Sequence, residues 1–231
     1  MQIRHSVIVL AVVLVLISGC IRKDNAPAEE NTARTLDVRC VLVYAEGTVT
    51  MNGKPLSIGD QIPLDAVLET GKESLAEIVF DGKNAIRMGQ STLLTMDITT
   101  LSRVLEVERG TITAVLRKIN TVSGGDLKVR TPSLVAGVRG TSFCVWVAKD
   151  GAQTYLCCCN GTIEIAPTEG APSRETQSTH HSAVLFTGLG TESTEVPVPA
   201  DFDPRHNDAD LESLASRIGE TMDWTTLESH D

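Results

Sequence analysis

Short runs of alternating polar and apolar residues recur along most of the chain, which predicts many short β-strands. The clearest run covers residues 126–161, where two alternating halves flank Asp150-Gly151. Asn52-Gly53 and Asp81-Gly82 likewise separate apolar runs, as the turn of a β-hairpin does. We therefore expect an all-β fold, an antiparallel short-stranded sandwich or β-roll, followed by one short C-terminal helix.

One four-residue pattern occurs three times, at residues 47–50, 110–113 and 161–164. Each copy reads glycine, threonine, aliphatic, polar, and each is expected to open a strand. The spacing between the copies is irregular, so the pattern does not indicate a repeat array. A Gly-Thr pair is also a common way to enter a strand after a turn.

Within the clearest run, Arg139-Gly140-Thr141 lies where small residues give way to a strand rich in β-branched and aromatic residues. Gly140 permits a positive φ or a close backbone approach at this point. We expect Arg139 to hold the turn through hydrogen bonds. A direct binding role for Arg139 is the alternative.

The pattern changes after residue 165. Residues 166–207 predict a loop-rich extension, with a loop over 166–177 and one strand over 182–186. The sequence pattern predicts a helix and tail over residues 208–231. The helix is expected over 208–222, with Asp208 or Asp210 as its N-cap. Its apolar face would consist of Leu211, Leu214, Ala215 and Ile218.

The N-terminus combines a basic residue, Arg4, with an aliphatic run over residues 7–17 that ends at Ile17-Ser18-Gly19-Cys20. This ending resembles the bacterial lipobox, so residues 1–20 are interpreted as a lipoprotein signal peptide. The resemblance implies that Cys20 carries diacylglycerol and palmitate. Residues 21–35 are polar and predict a flexible tether. Because Ile21 is not aspartate, we expect an outer-membrane anchor facing the periplasm.

Composition and the motifs that the sequence lacks bear on the kind of core and on the function to expect. Hydrophobic residues make up 42% of the chain and aromatic residues only 3%, so the core must consist mainly of aliphatic side chains. The net charge of -10 argues against a nucleic-acid partner, because phosphates attract basic surfaces. No phosphate-binding loop, nucleophile elbow or zinc-protease motif is present in the sequence. We therefore expect a non-enzymatic protein.

From Tyr44 to about Ile165 the chain resembles the FecR domain, and the matching pieces occur in the family's order. They are residues 46–49, 56–62, 68–71, 74–82, 86–89, 91–93, 108–110, 129–132 and 136–143. The resemblance implies an extracytoplasmic β-module over residues 36–165. FecR-type regulators relay a periplasmic signal through a transmembrane helix to a sigma factor. Because the targeting segment here ends at Cys20, the resemblance implies only the β-module for this chain and not the transmembrane relay to a sigma factor.

Six cysteines are present, and lipidation of Cys20 would leave five. A two-residue turn at Asp150-Gly151 would place Cys144 opposite Cys157, where a cross-strand disulfide fits. A one-residue bulge between the turn and these cysteines would destroy that register.

A metal site is the competing use of the cysteines. Cys157 and Cys159 point to one face of a strand and Cys158 to the other. His180-His181 follows after a loop, and two thiolates with one or two imidazoles suit Zn or Cu. Adjacent histidines on extended chain point opposite ways, so only one would join the cysteines easily. In the third interpretation, Cys158 is a core residue and the histidines are surface residues.

These observations predict a non-enzymatic extracytoplasmic lipoprotein that binds or scaffolds at the cell envelope, with a link to signalling. Its expected partners are the membrane, through the anchor, and an envelope protein or glycan. The alternative is a metal-binding or redox-linked envelope protein that uses Cys157, Cys159, His180 and His181.

Overall fold

The computed structural model describes residues 39–98, 103–117 and 127–227, which all lie in one unit, Arg34–Asp231. The predicted signal peptide, the lipidation site at Cys20 and the tether over residues 21–35 lie outside the described residues. Among the described residues, none of the helices is long and apolar enough to span a membrane.

The described residues form fifteen strands, one 3-10 turn (Gly190–Glu192) and one α-helix, which confirms the predicted all-β class. The strands are β1 (Cys40–Glu46), β2 (Val49–Met51), β3 (Lys54–Pro55), β4 (Val67–Thr70), β5 (Leu75–Phe80), β6 (Asn84–Met88), β7 (Leu93–Ile98), β8 (Arg103–Val115), β9 (Leu127–Arg130), β10 (Val135–Val138), β11 (Ser142–Val147), β12 (Gln153–Ala166), β13 (Arg174–Ser178), β14 (Ser182–Thr187) and β15 (Thr194–Val196), and the helix is α1 (Asp208–Ser216).

Two sheets share the long strands β8 and β12. Sheet I has the order β1-β5-β6-β8-β11-β12-β14-β15, and all its pairs are antiparallel. Sheet II has the order β3-β2-β4-β7-β8-β9-β10-β12-β13, and its one parallel pair is β8 with β9.

The long strands change sheets at two of the glycines in the four-residue pattern. Residues of β8 before Gly110 pair in sheet II and those after it pair in sheet I, with Gly110 at a φ of +88°. Gly161 marks the same change in β12, with a φ of +117°. A Cβ on Gly110 would lie 2.4 Å from the Cα of Thr92, so no side chain fits there. The third copy, at Gly47, lies between β1 of sheet I and β2 of sheet II. The pattern therefore marks corners of the sandwich.

The main core joins the two sheets and is mostly aliphatic, as the composition requires. Ile78 and Phe80 of sheet I and Leu94 and Met96 of sheet II are fully buried in one cluster. Alternation places these side chains inward and their neighbours outward.

A second apolar cluster lies on the other face of sheet I and is covered by residues 197–227, here called the C-terminal segment. The ring of Phe202 stacks on Tyr155 at 4.7 Å and meets the edge of Trp146 at 5.6 Å. Leu211 and Leu214 of α1 are fully buried in the same cluster. The segment is thus packed against the sheet along most of its length.

The extension contains more strand than the sequence predicted. The strand expected over residues 182–186 is confirmed as β14, which pairs with β12. The prediction of a loop over residues 166–177 is wrong at its C-terminal end, because strand β13 begins at Arg174. This edge strand has no fully buried residue, so it lacks the apolar alternation that reveals a strand. The short edge strand β15 was missed for a similar reason.

The predicted start of the helix is right at Asp208, but both predicted caps are wrong. Asn207 is the N-cap, and its side chain accepts a hydrogen bond from the N–H of Asp210, which completes a capping box. The predicted end at residue 222 is also wrong, because the helix stops at Ser216. Gly219 follows with a φ of +72°, the left-handed conformation that commonly ends a helix.

The turn at residues 139–141 has the positive φ expected for Gly140, at +59°. The side chain of Arg139 is exposed, and the hydrogen bonds expected from it stay a prediction. The hydroxyl of buried Thr141 donates to the carbonyl of Thr162, at 2.8 Å. The turn is therefore held by Thr141, inside the sheet corner.

Candidate metal centre

Four potential ligand atoms converge beside the second apolar cluster. They belong to Cys157, Cys159, His181 and His206, and all lie within 4.8 Å of one another. Both cysteines and His206 are buried, whereas His181 is partly exposed.

Strand β12 supplies both sulfurs. Cys157 and Cys159 lie in the second cluster and Cys158 lies in the main core, as strand alternation predicted. The pairing with β11 shifts between Ser142 and Phe143, which leaves Cys159 as the extra residue of a bulge. The thiol of Cys158 faces the carbonyl of Gly161 at 3.3 Å, away from the cluster.

The hairpin β12–β13 and the return strand β14 bring His181 to the sulfurs. Ser182 pairs with Cys158, and the N–H of His181 donates to the carbonyl of Cys159 at 3.1 Å. The imidazole Nδ1 of His181 then lies 3.5 Å from the Sγ of Cys157. As expected for adjacent histidines, only one joins the cysteines. His180 lies outside the four-residue cluster, and its Nε2 contacts the carboxylate of Asp208 at 3.1 Å.

His206 is the ligand candidate that sequence reasoning missed. It comes from the loop before α1, and its Nε2 lies 3.4 Å from the Sγ of Cys159. Its neighbour Asn207 is the helix N-cap, so the Asn207-x-x-Asp210 capping pattern fixes its position relative to α1. That pattern was the available signal, but it does not specify which surface the helix packs against.

The outward nitrogens of the two imidazoles are held by hydrogen-bond acceptors. Nδ1 of His206 donates to the carbonyl of Pro204 at 2.8 Å, and Nε2 of His181 donates to the carboxylate of Asp208 at 2.7 Å. In neutral imidazoles, these protons leave a lone pair on each inward nitrogen. The inward nitrogens lie 3.3 Å apart, so two lone pairs face each other beside two sulfurs.

The cluster favours negative charge on one of its two sulfurs. A hydrogen bond from the Cys159 thiol lowers the pKa of Cys157 to about 3, and His181 and His206 act in the same direction against burial. Burial raises the pKa of Cys159 well above the usual value for a thiol. The hydrogen bond to Cys157 raises the pKa of His181. Cys157 is thus the sulfur that ionises first.

Cys157, His181 and Asp208 are aligned like a cysteine nucleophile, its base and an orienting carboxylate. However, Cys157 is only 1% exposed, and sheet I and the C-terminal segment enclose it. A nucleophile must reach a substrate, so burial argues against catalysis here. The same geometry suits the binding of an ion.

The predicted register between the disulfide candidates is confirmed, since Cys144 pairs with Cys157 in the β11–β12 hairpin. The predicted disulfide itself is not formed. The five cysteines among the described residues are free thiols, and the Sγ of Cys144 faces the carbonyl of Pro204 at 3.8 Å. The bulge lies beyond this pair, on the side away from the turn, so it leaves the register intact.

Comparison with known families gives a match over part of the chain. Residues 66–164 match the model of a family described as FecR protein. The matched stretch starts later than the resemblance predicted from Tyr44, and it ends within β12. It therefore includes Cys157 and Cys159 but not His181 or His206.

Comparison with solved structures found two crystal structures of a candidate anti-sigma factor from Parabacteroides distasonis ATCC 8503. They share 14% and 13% sequence identity with this chain, with TM-scores of 0.45 and 0.46. Each match covers 58% of this chain and 60% of the other. The match thus spans 60% of the length of those proteins, which is less than two thirds. A search of curated proteins found no match.

Proposed function

We propose that this chain is a non-enzymatic binding protein of the bacterial cell envelope, anchored by lipid on Cys20 and linked to signalling through its FecR-type domain. The observation that carries the proposal is the FecR match over residues 66–164. The lipobox-like ending at Ile17-Ser18-Gly19-Cys20 supports the anchor. On the reasoning from Ile21, the anchor lies in the outer membrane and the domain faces the periplasm.

A cavity among the described residues is a place where a polar partner would bind. This cavity of about 240 Å³ lies between sheet I and the C-terminal segment, and its lining includes Arg87, Trp146, Arg205 and Asp210. The guanidinium of Arg205 lies over the ring of Trp146 at 5.9 Å. An aromatic ring beside charged groups suits an envelope glycan or a peptide of an envelope protein.

The anchor is tested by metabolic labelling with a palmitate analogue in a bacterial host, followed by membrane fractionation. Wild type and a Cys158→Ala control should take up label and stay with the membrane, because Cys158 is a core residue. Cys20→Ala should lose the label. Recovery of wild type as an unlabelled soluble protein would contradict the proposal.

The binding role is tested with a photoreactive residue placed at one of two exposed positions. Gln90 lies at the cavity, and Lys54 lies on sheet II. We expect a discrete cross-linked product in intact cells from position 90 and none from position 54. The same cross-linked products from both positions would contradict the binding of a specific partner at this cavity.

A further inference from the structure

The structure assigns Cys157, Cys159, His181 and His206 as the four ligands of a single Zn²⁺ ion. The site goes beyond the proposed envelope function, because half of its ligands lie outside the FecR match. It is also independent of the lipid anchor.

Three of the six separations among the ligand atoms fit a tetrahedron. Zinc bonds of about 2.0 Å to nitrogen and 2.3 Å to sulfur place tetrahedral ligand atoms about 3.3–3.8 Å apart. The separation from Cys157 Sγ to His181 Nδ1 is 3.5 Å, and that from Cys159 Sγ to His206 Nε2 is 3.4 Å. The two inward nitrogens are 3.3 Å apart. The other three separations are within 4.8 Å, so small side-chain movements would let one ion at the centre contact all four donors.

The hydrogen-bond partners of the two histidines are also typical of a metal centre. Zinc-bound histidine usually donates its other ring N–H to a carboxylate or a backbone carbonyl. His181 uses Asp208 in this way and His206 uses the carbonyl of Pro204. In their neutral forms, both imidazoles thereby direct a lone pair toward the sulfurs. A zinc ion gives those facing lone pairs a common partner.

The charges of the ion and its ligands cancel, which makes a buried site energetically acceptable. Two thiolates and one Zn²⁺ sum to zero, so the loaded centre carries no net charge into the apolar cluster. His181 has a side-chain exposure of 26%, which leaves a route for the ion from solvent. All four positions are taken by protein, the arrangement of a structural zinc site. Zinc would fix His206, and with it the C-terminal segment, to strand β12.

Two pairs of adjacent residues provide matched controls. His181 belongs to the four-residue cluster and His180 does not, although His180 lies with His181 and Asp208 in a second, more exposed group of potential ligands. Cys159 belongs to the four-residue cluster, while Cys158 faces the main core. The full chain is purified in detergent under reducing conditions, and zinc affinity is measured by competition with a chromophoric chelator. Co²⁺ substitution reports the geometry through its visible spectrum.

We expect one Zn²⁺ per chain and a tetrahedral Co²⁺ spectrum with sulfur-to-metal charge-transfer bands. His181→Ala and Cys159→Ala should weaken zinc binding by more than about 100-fold, above the loss typical of residues that only orient a ligand. His180→Ala and Cys158→Ala should bind like wild type. Circular dichroism identifies any variant that fails to fold, and partly exposed His181 provides a variant with little disturbance of the core.

Equal losses in His181→Ala and His180→Ala would overturn the assignment, as would an octahedral Co²⁺ spectrum. Binding of Cu⁺ without binding of Zn²⁺ would overturn the choice of metal. Cys20→Ala should bind zinc like wild type. A failure of zinc binding therefore leaves the lipid anchor standing, and a failure of the anchor leaves the zinc site standing.

Discussion

Nε2 of His206 lies 3.3 Å from Nδ1 of His181, although one residue precedes helix α1 and the other precedes strand β14. The contact joins the C-terminal segment to the sheet at the point where two cysteines of β12 also converge. It therefore connects the β-module, part of which matches the FecR family model, to a segment outside that match. This connection makes the docking of the segment depend on the chemistry of the cluster.

The first prediction concerns that docking. With zinc present at 100 times its dissociation constant, the population of any state that has lost the site should fall about 100-fold. Amide hydrogen exchange in α1 should slow accordingly when zinc replaces a chelator. Exchange in the β2–β3 hairpin, which is remote in the sheet order, should not change. An equal change in both regions, or none in α1, would contradict the idea that zinc fixes the C-terminal segment.

The second prediction concerns the carboxylate that orients His181. Asp208→Asn keeps a polar side chain but weakens the hydrogen bond to Nε2, so zinc affinity should fall about 10–100-fold. Asp203→Asn is the control, because Asp203 pairs with Arg205 and makes no contact with either imidazole ligand. Competition titration with a chelator measures both. Unchanged affinity in Asp208→Asn would show that this carboxylate does not support the site.

The third prediction concerns the corner at Gly110. Gly110→Ala should destabilise the fold by at least about 1–3 kcal/mol, because the backbone is left-handed and the new Cβ would meet Thr92. Gly53→Ala is the matched control, since Gly53 also has a positive φ but open space around its Cβ. Chemical denaturation should give a clearly larger loss for Gly110→Ala. Equal losses would mean that the close approach to Thr92 adds nothing.

The fourth prediction concerns buried Glu77, which ties the C-terminal segment to sheet I. Its carboxylate contacts Arg87 at 2.7 Å and Arg217 at 2.6 Å, and its side chain is 2% exposed. Glu77→Ala should cost up to about 3–5 kcal/mol, because it leaves the largely buried Arg87 with only its ion pair to the partly exposed Asp210.

Glu69→Ala is the control for Glu77→Ala, since the Glu69–Arg109 pair is exposed and should contribute at most about 1 kcal/mol. Chemical denaturation of the two variants measures both losses of stability, and we expect the larger loss in Glu77→Ala. A cost for Glu77→Ala no larger than that for Glu69→Ala would show that the ion pairs of Glu77 contribute little to stability.

Local patterns in the sequence were enough to predict the β11–β12 hairpin and its register. The turn and the alternation on either side fix which residues face each other, so the pairing of Cys144 with Cys157 followed. Alternation also placed Cys157 and Cys159 on one face. These properties depend on neighbours in sequence, which is why they could be predicted.

His206 could not be predicted as a partner of the cysteines, because its position depends on long-range packing. Phe202 and the apolar face of α1 decide where the C-terminal segment lies on sheet I. No periodicity within residues 197–207 specifies that surface. Strand β13 was hidden for a different reason, since an exposed edge strand carries no apolar stripe.

X-ray absorption at the zinc edge, on the full chain loaded with one equivalent of Zn²⁺, is the sharpest test of the zinc site. We predict two sulfur ligands at about 2.3 Å and two nitrogen ligands at about 2.0–2.1 Å. The same spectrum should be obtained from His180→Ala. A first shell made only of oxygen and nitrogen, or one unchanged by Cys159→Ala, would contradict the assignment of Cys157, Cys159, His181 and His206 as a zinc site.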